Sequence, residues 1–376
     1  MSETQVCTRC VMDTTDPDIT FDDHGVCDHC LTYDSRILPL WSKLLGDTNA
    51  LQHIVSSIKS TTTDNDFDCL IGLSGGIDSS YLVHIAHDSG LRPLLFHVDA
   101  GWNSDIAVNN IERLVDKLGL DLYTEVINWE EMRDLQLSFF KSGVPHIDAP
   151  QDHAFFATMY KFAKKYNVKH ILTGANYSTE CIRNPLQWMY YQSDLVQLLD
   201  IHRVHGTIPL TSFPTTSIFN HKIIMPYFKN IKVYSPLNYI SYDKSQAAAF
   251  LESEYGWRPY PQKHFESRFT RFYEGYWLPK RFGYDTRKVQ LSSLILTGQL
   301  TRSAALKILS TPSLSDDDAR IEIKYIASKL RISQEQLLSY LDLPMKTYKD
   351  YRSQYWIYNL GAKFLQLIGL EAGGKR

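Results

Sequence analysis

Long apolar runs are missing from this sequence: no stretch approaches the roughly 20 consecutive apolar residues that a membrane-spanning helix needs. The opening residues, MSETQVCTRC, hold neither a basic segment nor an apolar one. No membrane insertion and no secretory leader are therefore expected, and a cytoplasmic location follows. An excess of one charge sign is missing too. The 39 Lys and Arg against 42 Asp and Glu leave a net charge of −3, which gives no basic field for a nucleic-acid partner. Cysteine is scarce: six in 376 residues exclude a fold built on disulfides. Internal repeats and low-complexity tracts are absent. What remains, 44% apolar and 22% charged, is the composition of an ordinary globular protein long enough for two domains and a buried core.

The few cysteines are not scattered. Cys7 and Cys10 form one C-x2-C pair, and Cys27 and Cys30 form a second after 16 residues. Each pair aims two thiolates at one point, and two pairs complete a tetrahedron. The connector TTDPDITFDDHGV is polar and turn-rich, so a metal in place of an apolar core would organise it. His24 and His29 are alternative ligands, with the cysteines preferred. Four sulfur ligands leave no open position, so the expected Zn2+ is structural and not catalytic.

Four segments are expected: a zinc module at 1–35, a helical linker at 36–65, an α/β domain at 66–245, and a mostly helical region at 246–376 that completes the substrate site. The linker holds ILPLWSKLLG and ends in the polar KSTTTDNDFD. From there apolar strands (CLIGL, PLLFHVDA, LYTEVI, HILTGAN) alternate with helical stretches (SSYLVHIAHDSG, NNIERLVDKLG, AFFATMYKFAKKYN). That alternation predicts a parallel sheet with helices on both faces and a ligand at the carboxyl ends of its strands. Residues 177–235 read as aromatic and irregular. LSSLILTG, ARIEIKYIASKL and EQLLSYLDL have helical periodicity, and AGGKR reads as a frayed tail.

The stretch CLIGLSGGIDSSYL passes from strand to helix through Ser74, Gly75, Gly76, Ile77, Asp78, Ser79 and Ser80. Glycines let the backbone approach a ligand, while a helix N-terminus and serine hydroxyls supply donors, which together make an anion site suited to phosphate. No Gly-Lys-Ser/Thr is present, so transfer of a terminal phosphoryl group is not favoured. The plain alternative is a turn in which Asp78 or Ser79 caps the helix. S-G-G-x-D-S after a first strand resembles the signature of the PP-loop ATP pyrophosphatases. The resemblance implies an adenine nucleotide alpha hydrolase-like sheet and cleavage of ATP between the α and β phosphates. It also implies Mg2+ on the pyrophosphate, oriented by Asp78, and adenosine against the strand ends near Val98 and Asp99. In TGANYSTE, Gly174 would admit the nucleotide, and Asn176 and Glu180 would face the site.

Beyond the turn, CTRCVMDTTDPDITFDDHGVCDHC, PQDHAFFATMYKFAKKYNVKHILTGANYSTE and QKHFESRFTRFYEGYWLPKRFGYD make the chain similar to the N-acetyl sugar amidotransferases of lipopolysaccharide (O-antigen) biosynthesis. The likeness spans roughly residues 5 to 310. It implies ATP-dependent adenylation of the acetamido oxygen of a nucleotide-linked sugar, a diacetamido uronic acid by family. Replacement of that oxygen by ammonia would give an acetamidino group, with AMP and pyrophosphate released. Lys263, His264 and Glu266 are expected to act beside Asp78 in catalysis, with Asp152, His153 and Arg268 joining Asn176 and Glu180 on the substrate. Helix capping is the rival reading for Asp152 and His153, and a solvated helix face is the rival for 263–268. No glutaminase segment precedes the turn, so ammonia is expected from a separate pair of proteins similar to the glutaminase and cyclase subunits of imidazole-glycerol-phosphate synthase. Two other functions fit parts of the pattern. A PP-loop tRNA thiolase would need thiols beyond Cys69 and Cys181, and a non-catalytic zinc- and nucleotide-binding scaffold would not need an intact turn. The sugar, the acetamido group modified and the oligomeric state are not encoded in any motif.

Overall fold

Short apolar runs bounded by polar turns become the buried central strands, and with two more exposed edge strands they form one five-stranded sheet. They are β1 (Cys69–Gly72), β2 (Pro93–Asp99), β3 (Leu122–Val126), β4 (His170–Leu172) and β5 (Lys232–Tyr234). A computed structural model describes residues 4–47, 49–62, 65–358 and 360–361; the AGGKR tail lies outside the described residues. The strand order is β3-β2-β1-β4-β5, and every neighbouring pair is parallel. The chain leaves β1 toward β2 on one side and returns to pair β4 on the other, so the order reverses beside β1. A crevice opens at such a reversal.

Alternation along β1 splits the core. Cys69, Ile71 and Leu73 pack with Leu82, Val83, Ile111 and Leu114, whereas Leu70 joins Leu94, Phe96, Phe162 and Ile171 on the opposite face. Helices Ile77–Asp88 and Asp105–Leu118 cover the first face, and helix Ala149–Lys165 covers the second. Ser104 caps Asp105–Leu118 by accepting from the Ala107 amide, and Gly119 ends it in the left-handed conformation. Three elements lie outside the sequence expectation. Helix Trp129–Ser142 follows β3, and residues 177–235, read as irregular, hold helix Leu195–His205 and β5.

A larger aromatic core joins Trp102, Phe140, Phe269, Phe272 and Trp277 to the C-terminal helix Asp316–Leu330 through Ile323 and Ile326. The cysteine module packs against Ile182, Trp188 and Val289, the last on helix Arg287–Leu296. Among the described residues no helix is long and apolar enough to cross a membrane.

Candidate active site

The turn after β1 keeps its glycines for steric reasons. Gly75 has φ +81, and a Cβ there would stand 2.8 Å from the Ala107 carbonyl; a Cβ on Gly76 would collide with the Glu266 carboxylate. Helix Ile77–Asp88 starts at Gly76 with no side-chain cap, so its first amides stay available to an anion. Capping by Asp78 or Ser79 is therefore not what this turn is built for. Ser79 Oγ lies 3.1 Å from Ser74 Oγ and donates to the Gly76 carbonyl at 3.1 Å.

A strap from Trp257 to Arg268 folds over the turn. Trp257 Nε1 and the Tyr260 hydroxyl donate to the Gly75 carbonyl at 3.0 and 3.1 Å. Residues 102–104, just beyond β2, then pair with the strap: the Ser104 amide donates to the Glu266 carbonyl and the Arg268 amide to the Trp102 carbonyl, both at 2.8 Å. This pairing carries Lys263, His264 and Glu266 from a distant part of the chain onto the phosphate-type turn.

Three donors hold Asp78. The Tyr242 hydroxyl reaches Oδ1 at 2.6 Å, Asn176 Nδ2 reaches the same oxygen at 3.4 Å, and Lys263 Nζ reaches Oδ2 at 3.2 Å. Lys263 also donates to Glu180 Oε1 at 2.5 Å. Burial alone would raise the Asp78 pKa, but the Lys263 charge and the Tyr242 bond outweigh it and hold the carboxyl below its usual range. For Lys263, burial is outweighed by Asp78 and Glu180, and its ammonium is held firmly protonated. Burial raises the Glu266 pKa against the pull of His264. His264, at φ +67, shares a proton with Glu274 at 3.0 Å. Burial opposes its charge, but Glu274 prevails and its pKa rises to about 9.

Two adjoining cavities open here. The larger, about 560 Å³, is lined by Ser74, Gly76, Asp78, Ser79, Gly174, Glu180, Lys263, His264 and Glu266 among others. The smaller, about 270 Å³, includes Val98, His146, Asp148, Asp152, Tyr273 and Glu274. Ser74, Phe155, His264 and Glu266 belong to both walls.

Not every expected residue converges. Ser80 is buried and lines neither cavity, and the Asp99 carboxylate accepts from the Gly101 amide at 2.8 Å as a strand-end turn. His153 is the clearest departure. It is fully buried, with Nδ1 2.6 Å from the Gln192 carbonyl and Nε2 accepting from the Thr216 amide at 3.1 Å, so both ring nitrogens tie the chain together and neither faces a substrate. Arg268 departs as well: it donates to buried Glu322 at 3.0 Å and lies 3.5 Å over the Tyr325 ring. Asp152 does line the smaller cavity, 3.3 Å from His146 Nε2. Sequence reasoning missed Tyr242, Lys244, His146, Asp148 and Tyr273. One signal was available: Lys244 opens helix Lys244–Tyr255, where a cation opposes the helix dipole unless an anion sits nearby.

The four cysteine sulfurs lie within 4.8 Å of one another and are all buried. Their separations of 3.6, 3.7 and 3.9 Å match the edge of about 3.8 Å for a tetrahedron with bonds of about 2.3 Å. Amides of Cys10 and Cys27 donate to Cys7 Sγ at 3.4 and 3.3 Å, as thiolates require. The donor set fits zinc. It fits magnesium less directly at Asp78, because the Lys263 ammonium already bridges the Asp78 and Glu180 carboxylates.

Residues 266–365 match the family described as LPS biosynthesis protein WbpG-like, C-terminal domain, and residues 51–175 match asparagine synthase. No curated protein matches the chain. Among solved structures, the NH3-dependent NAD synthetase from Campylobacter jejuni subsp. jejuni NCTC 11168 is 15% identical, with a TM-score of 0.29, over 57% of this chain and 83% of that one. The NMN synthetase from Francisella tularensis is also 15% identical, with a TM-score of 0.28, over 58% of this chain and 90% of that one.

Proposed function

We propose that this chain, of which residues 266–365 match the WbpG-like C-terminal domain and residues 51–175 match asparagine synthase, is an ATP-dependent amidotransferase of lipopolysaccharide biosynthesis. It adenylates the acetamido oxygen of a nucleotide-linked N-acetyl sugar, a diacetamido uronic acid by resemblance, and replaces that oxygen with ammonia. The observation that carries this reading is the convergence of the uncapped helix Ile77–Asp88 with the Asp78–Lys263–Glu180 cluster on one cavity.

An amide carbon is a poor electrophile and its oxygen a poor leaving group, so the oxygen needs activation. It bonds to the α-phosphorus as the bond to the β-phosphate oxygen breaks, and pyrophosphate leaves. Ammonia then bonds to the imidate carbon, the C–O bond breaks with its electron pair going to AMP, and the added nitrogen sheds a proton as the amidine forms. The amides of the turn would hold the departing pyrophosphate, while Lys263 and Lys244 supply positive charge beside the α-phosphate. This division is positioning plus fixed electrostatics. Glu266 and His264, on the wall common to both cavities, would orient the amide. Phe155 on the same wall excludes water, which would otherwise hydrolyse the imidate. Magnesium would accompany the phosphates, and a separate glutaminase–cyclase pair would supply ammonia.

Cys69 is fully buried in β1 and Cys181 packs beside the cysteine module, and neither lines these two cavities. A sulfur-relay reading lacks its thiols. With candidate nucleotide sugars and ammonium chloride, AMP and pyrophosphate are expected in equal amounts only when sugar and ammonium are both present. ADP as the product would defeat the proposal.

A further inference from the structure

Resting on the ammonia-using reading above, we propose that the smaller cavity is an ammonium site and that Asp148 takes the proton which converts NH4+ to NH3. The wall holds four carboxyls and the imidazoles of His97, His146 and His264: Asp152 pairs with His146 and Glu274 with His264, which leaves Asp148 and Glu266 outside these pairs. An ionised Asp148 in this wall would attract a small cation.

Two buried groups point to a ligand independently of that charge. Asp148 is 3% exposed; its Oδ2 accepts from the Thr270 hydroxyl at 2.6 Å, yet its Oδ1 has no partner. Tyr273 is 1% exposed, and its hydroxyl is likewise unpartnered. Buried polar atoms in folded proteins are nearly always hydrogen-bonded. Two orphans in one wall, both able to accept, call for a small multivalent donor. Ammonium offers four N–H groups and one positive charge. The site also lies in the right place, since Ser74 and Glu266 form the partition between it and the phosphate-type turn.

In the step itself, one N–H bond of NH4+ breaks with its electron pair remaining on nitrogen. The proton bonds to Asp148 Oδ1, giving NH3 and a neutral carboxyl. Burial first, and then the Asp152 charge, push the Asp148 pKa up to about 7, with Glu274 adding to the rise and Thr270 and His146 opposing it. His146 stays paired to Asp152, and Glu274 to His264. A carboxyl poised near neutral pH both receives a proton and releases it.

The test titrates full-length protein with ¹⁵N-ammonium chloride at constant sodium chloride and reads ¹⁵N relaxation, with ATP affinity measured on the same samples. Wild type is expected to bind saturably, with affinity rising about tenfold between pH 6 and 8 as Asp148 ionises. Asp148→Asn, which keeps the shape and the Thr270 bond, should bind at least ~10-fold more weakly with a flat pH profile. Tyr273→Phe, the milder probe, should bind about threefold more weakly, as expected for one neutral hydrogen bond. Absence of saturable binding by wild type, or equal binding by wild type and both variants, would overturn the site. Loss of ATP binding by wild type would strike the proposed function instead, so the two failures are told apart.

Discussion

Asp78→Asn is expected to lower the rate of ATP cleavage by about a thousandfold, roughly 4 kcal/mol of transition-state stabilisation, while melting within a few degrees of wild type. The argument starts from Lys263. Its ammonium is placed by two carboxylates on different strand-end segments, Asp78 at 3.2 Å and Glu180 at 2.5 Å. Asparagine keeps the acceptor for the Tyr242 hydroxyl, so the buried hydroxyl is not orphaned. It removes the charge, however, and leaves Lys263 held by Glu180 alone, free to swing from the place proposed for it beside the α-phosphate. Because Glu180 still neutralises the buried ammonium, the large penalty for an unpaired interior charge does not arise. Lys263→Met should cost a similar factor, and the double variant little more than either, because the two act as one unit. Steady-state AMP formation and thermal melts of the three variants check this. A single variant with normal turnover would remove the cluster from the mechanism.

Metal removal is the second large effect. Stripping the cysteine module with a chelator, or Cys10→Ser, is expected to lower Tm by about 10 °C or more and to reduce turnover as well. The loss of stability follows from four buried sulfurs left without their common ligand. The loss of activity follows from a chain of contacts. Arg302 donates to the carbonyls of Cys10 and Cys7 at 2.9 and 2.8 Å, and the Val11 amide donates to Ser292 Oγ at 3.1 Å. Ser292 lies on helix Arg287–Leu296, whose end reaches the site: Thr297 and Gln299 donate to the Ser178 carbonyl at 2.8 and 2.9 Å. Ser178 sits in the short helix Tyr177–Glu180 that presents Glu180 to Lys263. Metal content by elemental analysis, read beside Tm and AMP formation, checks the pair of effects. A metal-free protein with wild-type Tm would contradict the structural role.

These contacts show what could be read in the sequence. The first four strands are apolar runs bounded by turn residues, and their signal is local. β5 is three residues long, with Lys232 and Val233 exposed, so it carries no such signal. The turn and the cysteine pairs are contiguous and were legible for the same reason. Trp257 and Tyr260 owe their places to the strap, and Tyr242 and Asp148 are placed by bonds with Asp78 and Thr270 from distant parts of the chain, which no local pattern announces. Arg268 and His153 have residue types that suit a ligand, but Glu322 and the backbone at Gln192 and Thr216 hold them instead. Helix Trp129–Ser142 conceals two carboxylates of another kind: buried Glu131 and Asp134 accept from residues 207–213 and organise that loop.

The central claim is that the acetamido oxygen itself is adenylated. Turnover of a nucleotide sugar labelled with ¹⁸O in the acetamido carbonyl, followed by mass spectrometry of the nucleotide product, tests it most directly. The account predicts AMP carrying one ¹⁸O in its phosphate. Unlabelled AMP, or label appearing in orthophosphate beside ADP, would contradict it.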